Sequence, residues 1–143
     1  MKARPILLVE DNAQDEKLTL RALAKVNLAN RVQVARDGQQ ALDYLFNPDL
    51  EVPAAVMLDL NLPKVSGLDV LTRMRAQERT RLVPVVILTS SDEDRDRYGS
   101  YQLGANSFVQ KPVDFTEFVA AVAHLGAYWA IINEPVDPGV RWS

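Results

Sequence analysis

The sequence predicts a single α/β domain in which a parallel sheet is covered by helices on both faces. Two observations predict it. Five short apolar runs, at residues 6–9, 32–35, 55–58, 85–88 and 107–109, alternate with stretches of helical periodicity. The clearest runs, Ile6-Leu7-Leu8-Val9 and Ala55-Val56-Met57-Leu58, are continuously apolar, as strands buried on both faces must be. Strict alternation of strand and helix favours parallel pairing through right-handed crossovers.

Each element has its own signals. The first strand follows Pro5 and ends at Glu10-Asp11. Helical patterns cover residues 15–26, 39–46, 67–76 and 94–103, and a longer one, 115–132, follows the last strand. Asp37 stands before Gly38 as a cap for the second helix. Ser66 with Asp69, Ser90 with Glu93 and Asp114 with Glu117 have capping-box spacing or come close to it. Asn47-Pro48-Asp49 and Pro53 mark the loop before the third strand. The expected organisation is one domain over residues 1–132 and an extended tail over 133–143, which carries Pro135, Pro138 and Gly139. No output domain is expected.

Composition narrows the function. The chain has 143 residues, enough for one full core, with 48% hydrophobic and 24% charged residues. A net charge of −3 with both signs interspersed argues against nucleic acid binding through a broad basic surface. The absence of cysteine excludes disulfides, zinc thiolates and thiol catalysis. One histidine, His124, excludes any site that needs two, and it reads as structural or interfacial. No uncharged apolar stretch reaches ~18 residues, so no membrane span is expected. The first strand begins too early for a signal peptide, and a cytoplasmic location is expected. Met57 reads as core, and Arg73 and Arg75 as a solvated helix face.

The chemistry lies at the strand ends. Glu10 and Asp11 follow the first strand, and Asp59 follows the third. In open α/β sheets ligands bind outside the carboxyl ends of the strands. Three carboxylates gathered there repel one another, and a hard cation such as Mg²⁺ is the natural compensation. Pro63 turns the chain after Asp59-Leu60-Asn61-Leu62. Leu88-Thr89-Ser90-Ser91 and Gln110-Lys111-Pro112 close the fourth and fifth strands. Together these groups suit phosphoryl transfer, where positioning and charge neutralisation dominate. Asp59 can be the nucleophile, Glu10 and Asp11 can hold Mg²⁺, and Thr89 and Lys111 can bind the oxygens of the arriving phosphoryl group.

Val9-Glu10-Asp11-Asn12, Met57-Leu58-Asp59-Leu60-Asn61-Leu62-Pro63 with Ser66-Gly67, Leu88-Thr89-Ser90 and Phe108-Val109-Gln110-Lys111-Pro112 resemble the four signatures of receiver domains, the response-regulator halves of two-component systems. The resemblance covers residues 5 to about 125. It implies a flavodoxin-like doubly wound (βα)5 fold with strand order 2-1-3-4-5. It makes Asp59 the phosphoacceptor for a histidine kinase. Asp11, Asp59 and the main-chain carbonyl of Asn61 would ligate Mg²⁺, with Glu10 acting through water. Lys111 would pair with the phosphoryl group, and Thr89 and Phe108 would form a conformational switch. Such a domain is not an enzyme beyond phosphorylating itself from donors and losing the group slowly. A narrower resemblance joins Asn27-Leu28-Ala29-Asn30, Val34-Ala35-Arg36-Asp37-Gly38, Ala41-Leu42-Asp43-Tyr44-Leu45 and Trp129 with Asn133-Glu134-Pro135. It is to the stand-alone regulators that partner phytochrome-type histidine kinases.

Two other classes compete. A phosphatase of the haloacid-dehalogenase type also uses an aspartate nucleophile with Mg²⁺, but it needs a second aspartate two residues on, and Asn61 stands there. A flavodoxin-like cofactor binder would need a hydroxyl- and glycine-rich loop after the first strand, where this chain has carboxylates. The output is expected to leave by contact with a downstream protein. The segment 115–132 carries one charged side chain, Glu117, and more apolar surface than one helix face can bury. A homodimer contacting through Tyr128, Trp129, Ile131 and Ile132 is therefore expected.

Overall fold

The computed structural model describes residues 4–25, 30–90, 107–111, 116 and 118. Strands β1 (Ile6–Val9), β2 (Val32–Ala35), β3 (Ala55–Asp59), β4 (Val85–Thr89) and β5 (Ser107–Gln110) form one parallel sheet in the order β2-β1-β3-β4-β5. Helices α1 (Ala13–Lys25), α2 (Gly38–Leu45) and α3 (Gly67–Ala76) fall between the first four strands. Architecture and strand order match the expectation.

Side-chain alternation divides the core. Ile6, Leu8, Ala55, Met57, Val86, Leu88 and Val109 pack with Ala22 and Leu23 of α1 and with Phe118. Leu7, Val9, Val56, Leu58, Val85 and Ile87 face the other way, onto Ala41, Leu42 and Leu45 of α2 and Val70, Leu71 and Met74 of α3. Successive residues thus serve opposite layers, which is why the central runs contain no polar side chain. Met57 is core, as expected.

The helices start where side chains supply acceptors. Asp37 Oδ1 accepts from the Gln40 N–H (2.7 Å), and Ser66 Oγ accepts from the Asp69 N–H (3.1 Å). Asn12 Oδ1 accepts from the Gln14 and Asp15 N–H groups at 2.9 and 3.0 Å. That unforeseen cap begins α1 at Ala13, two residues before the expected start at 15. β3, β4 and β5 each run one residue past their apolar runs, because the ladder continues through Asp59 opposite Leu88 and Thr89 opposite Gln110.

Arg75 corrects the sequence reading. Its Nη1 donates to the main-chain oxygens of Val83 (2.8 Å), Arg81 (3.1 Å) and Thr80 (3.4 Å), tying the α3–β4 loop, while Arg73 is exposed as expected. Arg75→Met strips a charged donor from three carbonyls and is expected to cost about 2 kcal/mol in urea unfolding. Arg73→Met is expected to stay within about 0.5 kcal/mol of the parent. Equal stabilities for the two variants would contradict this role.

Several expectations fall outside the described residues. They are the helix 94–103, most of 115–132, His124, the interface residues Tyr128, Trp129, Ile131 and Ile132, and the 133–143 tail. Within 115–132, Thr116 and Phe118 have helical backbone, and Phe118 is buried.

Candidate phosphoryl-transfer site

Alternation also sorts the strand-end residues. Asp59 continues the side of Ala55 and Met57, and Lys111 continues the side of Val109, so both project toward the α1 layer. Glu10 follows Leu8 on that same side. Thr89 follows Val85 and Ile87 toward the α2–α3 layer, and Phe108 is half-buried against the cluster that contains Ile87. The sheet therefore brings Glu10, Asp59 and Lys111 together on one side and Thr89 and Phe108 together on the other.

Lys111 is the centre of the first group. Its Nζ lies 2.9 Å from Asp59 Oδ2, 3.0 Å from Asp15 Oδ2 and 3.2 Å from Glu10 Oε1. The Lys111 N–H donates to the Thr89 main-chain oxygen (2.7 Å), which fixes the base of the side chain. Asp59 Oδ1 accepts from the Asn61 N–H (2.9 Å), and Glu10 Oε2 accepts from the Asn12 N–H (3.2 Å). Glu10 and Asp59 are buried, and Asp11 is exposed. Ligand oxygens of Glu10, Asp11 and Asp59 all lie within 4.8 Å of one another. Such an all-oxygen set fits a hard divalent cation.

Burial pushes the Glu10 carboxyl up to about 7, with a hydrogen bond to Asp59 and the Asp59 charge adding to it, against the pull of Lys111 and the Asn12 N–H. Burial works against the Lys111 ammonium, but hydrogen bonds to Asp59 and Asp15 and the charges of Asp59 and Glu10 outweigh it and hold lysine above its ordinary range. At neutral pH the site thus holds a permanent cation and a Glu10 poised to exchange a proton.

An open cleft of about 360 Å³ lies over these groups, lined by Asp11, Asn12, Asp15, Asp59, Asn61, Ser90 and Lys111. Thr89, expected to offer its hydroxyl there, is fully buried and is not among the lining residues, whereas its neighbour Ser90 is. Asn61 lines the cleft. Asp15 is the residue that sequence reasoning missed. It lies in the first turn of α1, and its partner Lys111 is distant in sequence, so no local spacing announced it.

Backbone packing fixes the chain that follows Asp59. The Gly67 N–H donates to the Leu60 oxygen (3.0 Å), and a Cβ at Gly67 would lie 2.1 Å from the Asp59 main-chain oxygen. A Cβ at Gly38 would lie 1.8 Å from the Val65 oxygen, so the start of α2 braces the same β3–α3 loop. Lys64, with φ 67°, turns that loop, and its Nζ reaches Asp37 Oδ2 (3.4 Å).

Comparison with known proteins adds a lineage. The sequence model of the family described as "Response regulator receiver domain" matches residues 6–123. The solved structure of the bacteriophytochrome response regulator AtBRR is 52% identical, with a TM-score of 0.80, covering 94% of this chain and all of that one. A probable methanogenesis regulatory protein, FilR2 of Methanothrix harundinacea, is 39% identical over 136 residues, 93% of this chain and 88% of its own length. The Mn²⁺-bound form of response regulator Rcp1, a protein of Synechocystis, is 30% identical with a TM-score of 0.71, covering 94% of this chain and 97% of that one.

Proposed function

Because the chain belongs to the response regulator receiver family, we propose that Asp59 is its phosphoacceptor and that a histidine kinase is the donor. The family supports a phosphoryl-accepting regulator rather than a haloacid-dehalogenase-type phosphatase, and receiver domains are generally not catalytic enzymes. The likeness to bacteriophytochrome regulators supports a kinase of the phytochrome type. Among the described residues no helix is long and apolar enough to cross a membrane.

One observation carries the residue assignment. Asp59 is a buried carboxylate at the end of a central strand, with Oδ2 on an ammonium and Oδ1 on a main-chain N–H. Each oxygen is oriented, and the cleft opens onto it. An Asp59 oxygen attacks the donor phosphorus and forms a new O–P bond. The P–N bond of the donor phosphohistidine breaks, its electron pair returns to the imidazole, and the ring takes up a proton. Glu10, Asp11, Asp59 and the Asn61 main-chain carbonyl would hold Mg²⁺, which when bound neutralises charge between the carboxylates and the phosphoryl oxygens. Lys111 keeps its ammonium at the reacting carboxylate and can follow the charge outward onto the phosphoryl group.

The switch belongs to the other side of the sheet. Phosphorylation adds about 1.5 to 2 negative charges and three acceptor oxygens. Thr89 adjoins the site through its main-chain bond to Lys111, and Phe108 shares its face. Rotation of the Thr89 hydroxyl toward the phosphoryl group would let Phe108 repack, and that movement carries the signal to a partner protein.

The test is intact-mass measurement after incubation with a small phosphodonor. The parent is expected to gain one phosphoryl group with Mg²⁺ and none with a chelator. Asp59→Asn, which keeps the shape and removes the nucleophile, is expected to gain none. An adduct on that variant equal to the parent's would overturn the assignment.

A further inference from the structure

Asp15 is not needed to hold a metal or to accept phosphate, yet it makes one of the shortest contacts of the site. Its Oδ2 lies 3.0 Å from Lys111 Nζ, between Asp59 at 2.9 Å and Glu10 at 3.2 Å. The ammonium donates to Asp59 and to both oxygens of Glu10, and Asp15 is its third ion-pair partner. Asp15 differs from the other two in position. Its side chain is 21% exposed at the cleft, against 2% for Asp59 and none for Glu10. It is also fixed in place, because its own N–H is held by the Asn12 cap at the start of α1 (3.0 Å).

On phosphorylation the charge that Asp59 presents to Lys111 moves outward onto the phosphoryl oxygens. That group must then draw N–H donors from a lysine still held by Glu10 and Asp15. Asp15 is the holder nearer the solvent side, and its charge has the same sign as the phosphoryl group. We propose that Asp15 is a positioning residue that competes with the phosphoryl group for the Lys111 ammonium, and so sets how strongly the phosphorylated state is favoured. This rests on the reading of Asp59 as phosphoacceptor.

Beryllofluoride, a phosphoryl mimic that binds a carboxylate without group transfer, tests this at equilibrium by calorimetry at saturating Mg²⁺. Asp15→Asn is expected to bind it about threefold or more tightly than the parent, the scale of one partly exposed ion pair. Asp15→Glu is expected to stay near the parent. In a Lys111→Met background the gain from Asp15→Asn is expected to shrink toward nothing, because the effect passes through the lysine. Metal-free Asp15→Asn is expected to melt at or above the parent temperature, since it removes a negative charge from an acidic cluster.

Equal or weaker mimic binding by Asp15→Asn would overturn the proposal. So would a gain that persists undiminished without Lys111, or a clear loss of thermal stability, which would make Asp15 a structural anchor. Failure of the underlying reading looks different: the parent would bind no mimic, or Asp59→Asn would bind it as well as the parent.

Discussion

Lys111→Met is expected to destabilise the metal-free protein by about 2–3 kcal/mol, a fall in melting temperature of roughly 6–10 °C. The lysine is the cation between buried Glu10 and buried Asp59, and its removal leaves those carboxylates facing each other. Breaking a fully buried pair costs about 3–5 kcal/mol. The loss here is smaller because Glu10, already raised to about 7, can take a proton and leave one charge. Saturating Mg²⁺ is expected to restore much of the stability, since it supplies the missing positive charge. Phosphorylation of Asp59 is expected to be lost or greatly slowed even with Mg²⁺. Urea unfolding with and without Mg²⁺ reads the first effect, and intact mass reads the second. A variant as stable as the parent without metal would mean that the site tolerates its carboxylates uncompensated.

Gly67→Ala is expected to have an effect of similar size by a different route. Its Cβ would lie 2.1 Å from the Asp59 oxygen and 2.7 Å from Leu60 Cα, and both neighbours are main chain, with no flexible tip to yield. Either α3 withdraws from the sheet or the chain after Asp59 is pushed aside. Overpacking of this kind costs about 1–3 kcal/mol, and the upper end applies where backbone meets backbone. The phosphorylation rate of the folded fraction is expected to fall as well, because the displaced atoms belong to Asp59 itself. Gly38→Ala meets the Val65 oxygen at 1.8 Å and is expected to destabilise comparably, but its clash lies farther along the loop. Its folded fraction is expected to phosphorylate faster than that of Gly67→Ala. Equal rates in the two variants would break the link between Gly67 and the position of Asp59.

The strands were legible because their burial is two-sided. Ile6 to Val9 and Val85 to Leu88 serve alternating layers that are both apolar, so no polar residue interrupts them. Their ends were less legible, because ladder bonds ignore side-chain polarity and carry β3 and β4 through Asp59 and Thr89. The carboxylates that could hold a metal stood out at strand ends, Glu10 beside Asp11 and Asp59 by itself. Asp15 did not, since its partner Lys111 meets it only when β5 is placed near α1. Arg75 was misread for a related reason. Its acceptors are loop carbonyls, which no pattern of side chains announces. Gly38 likewise owes its need for a missing Cβ to Val65, from a different loop. The separation of Thr89 from the cleft lining follows from strand parity, a signal present in the sequence once the register is known.

If Asp59 is the phosphoacceptor, the acyl phosphate sits on its side chain. Borohydride reduction cleaves an aspartyl phosphate and leaves homoserine in place of the aspartate. After phosphorylation with Mg²⁺, peptide sequencing by mass spectrometry is expected to find homoserine at position 59 and nowhere else. Homoserine at position 11 or 15 instead, with Asp59 unchanged, would contradict the account.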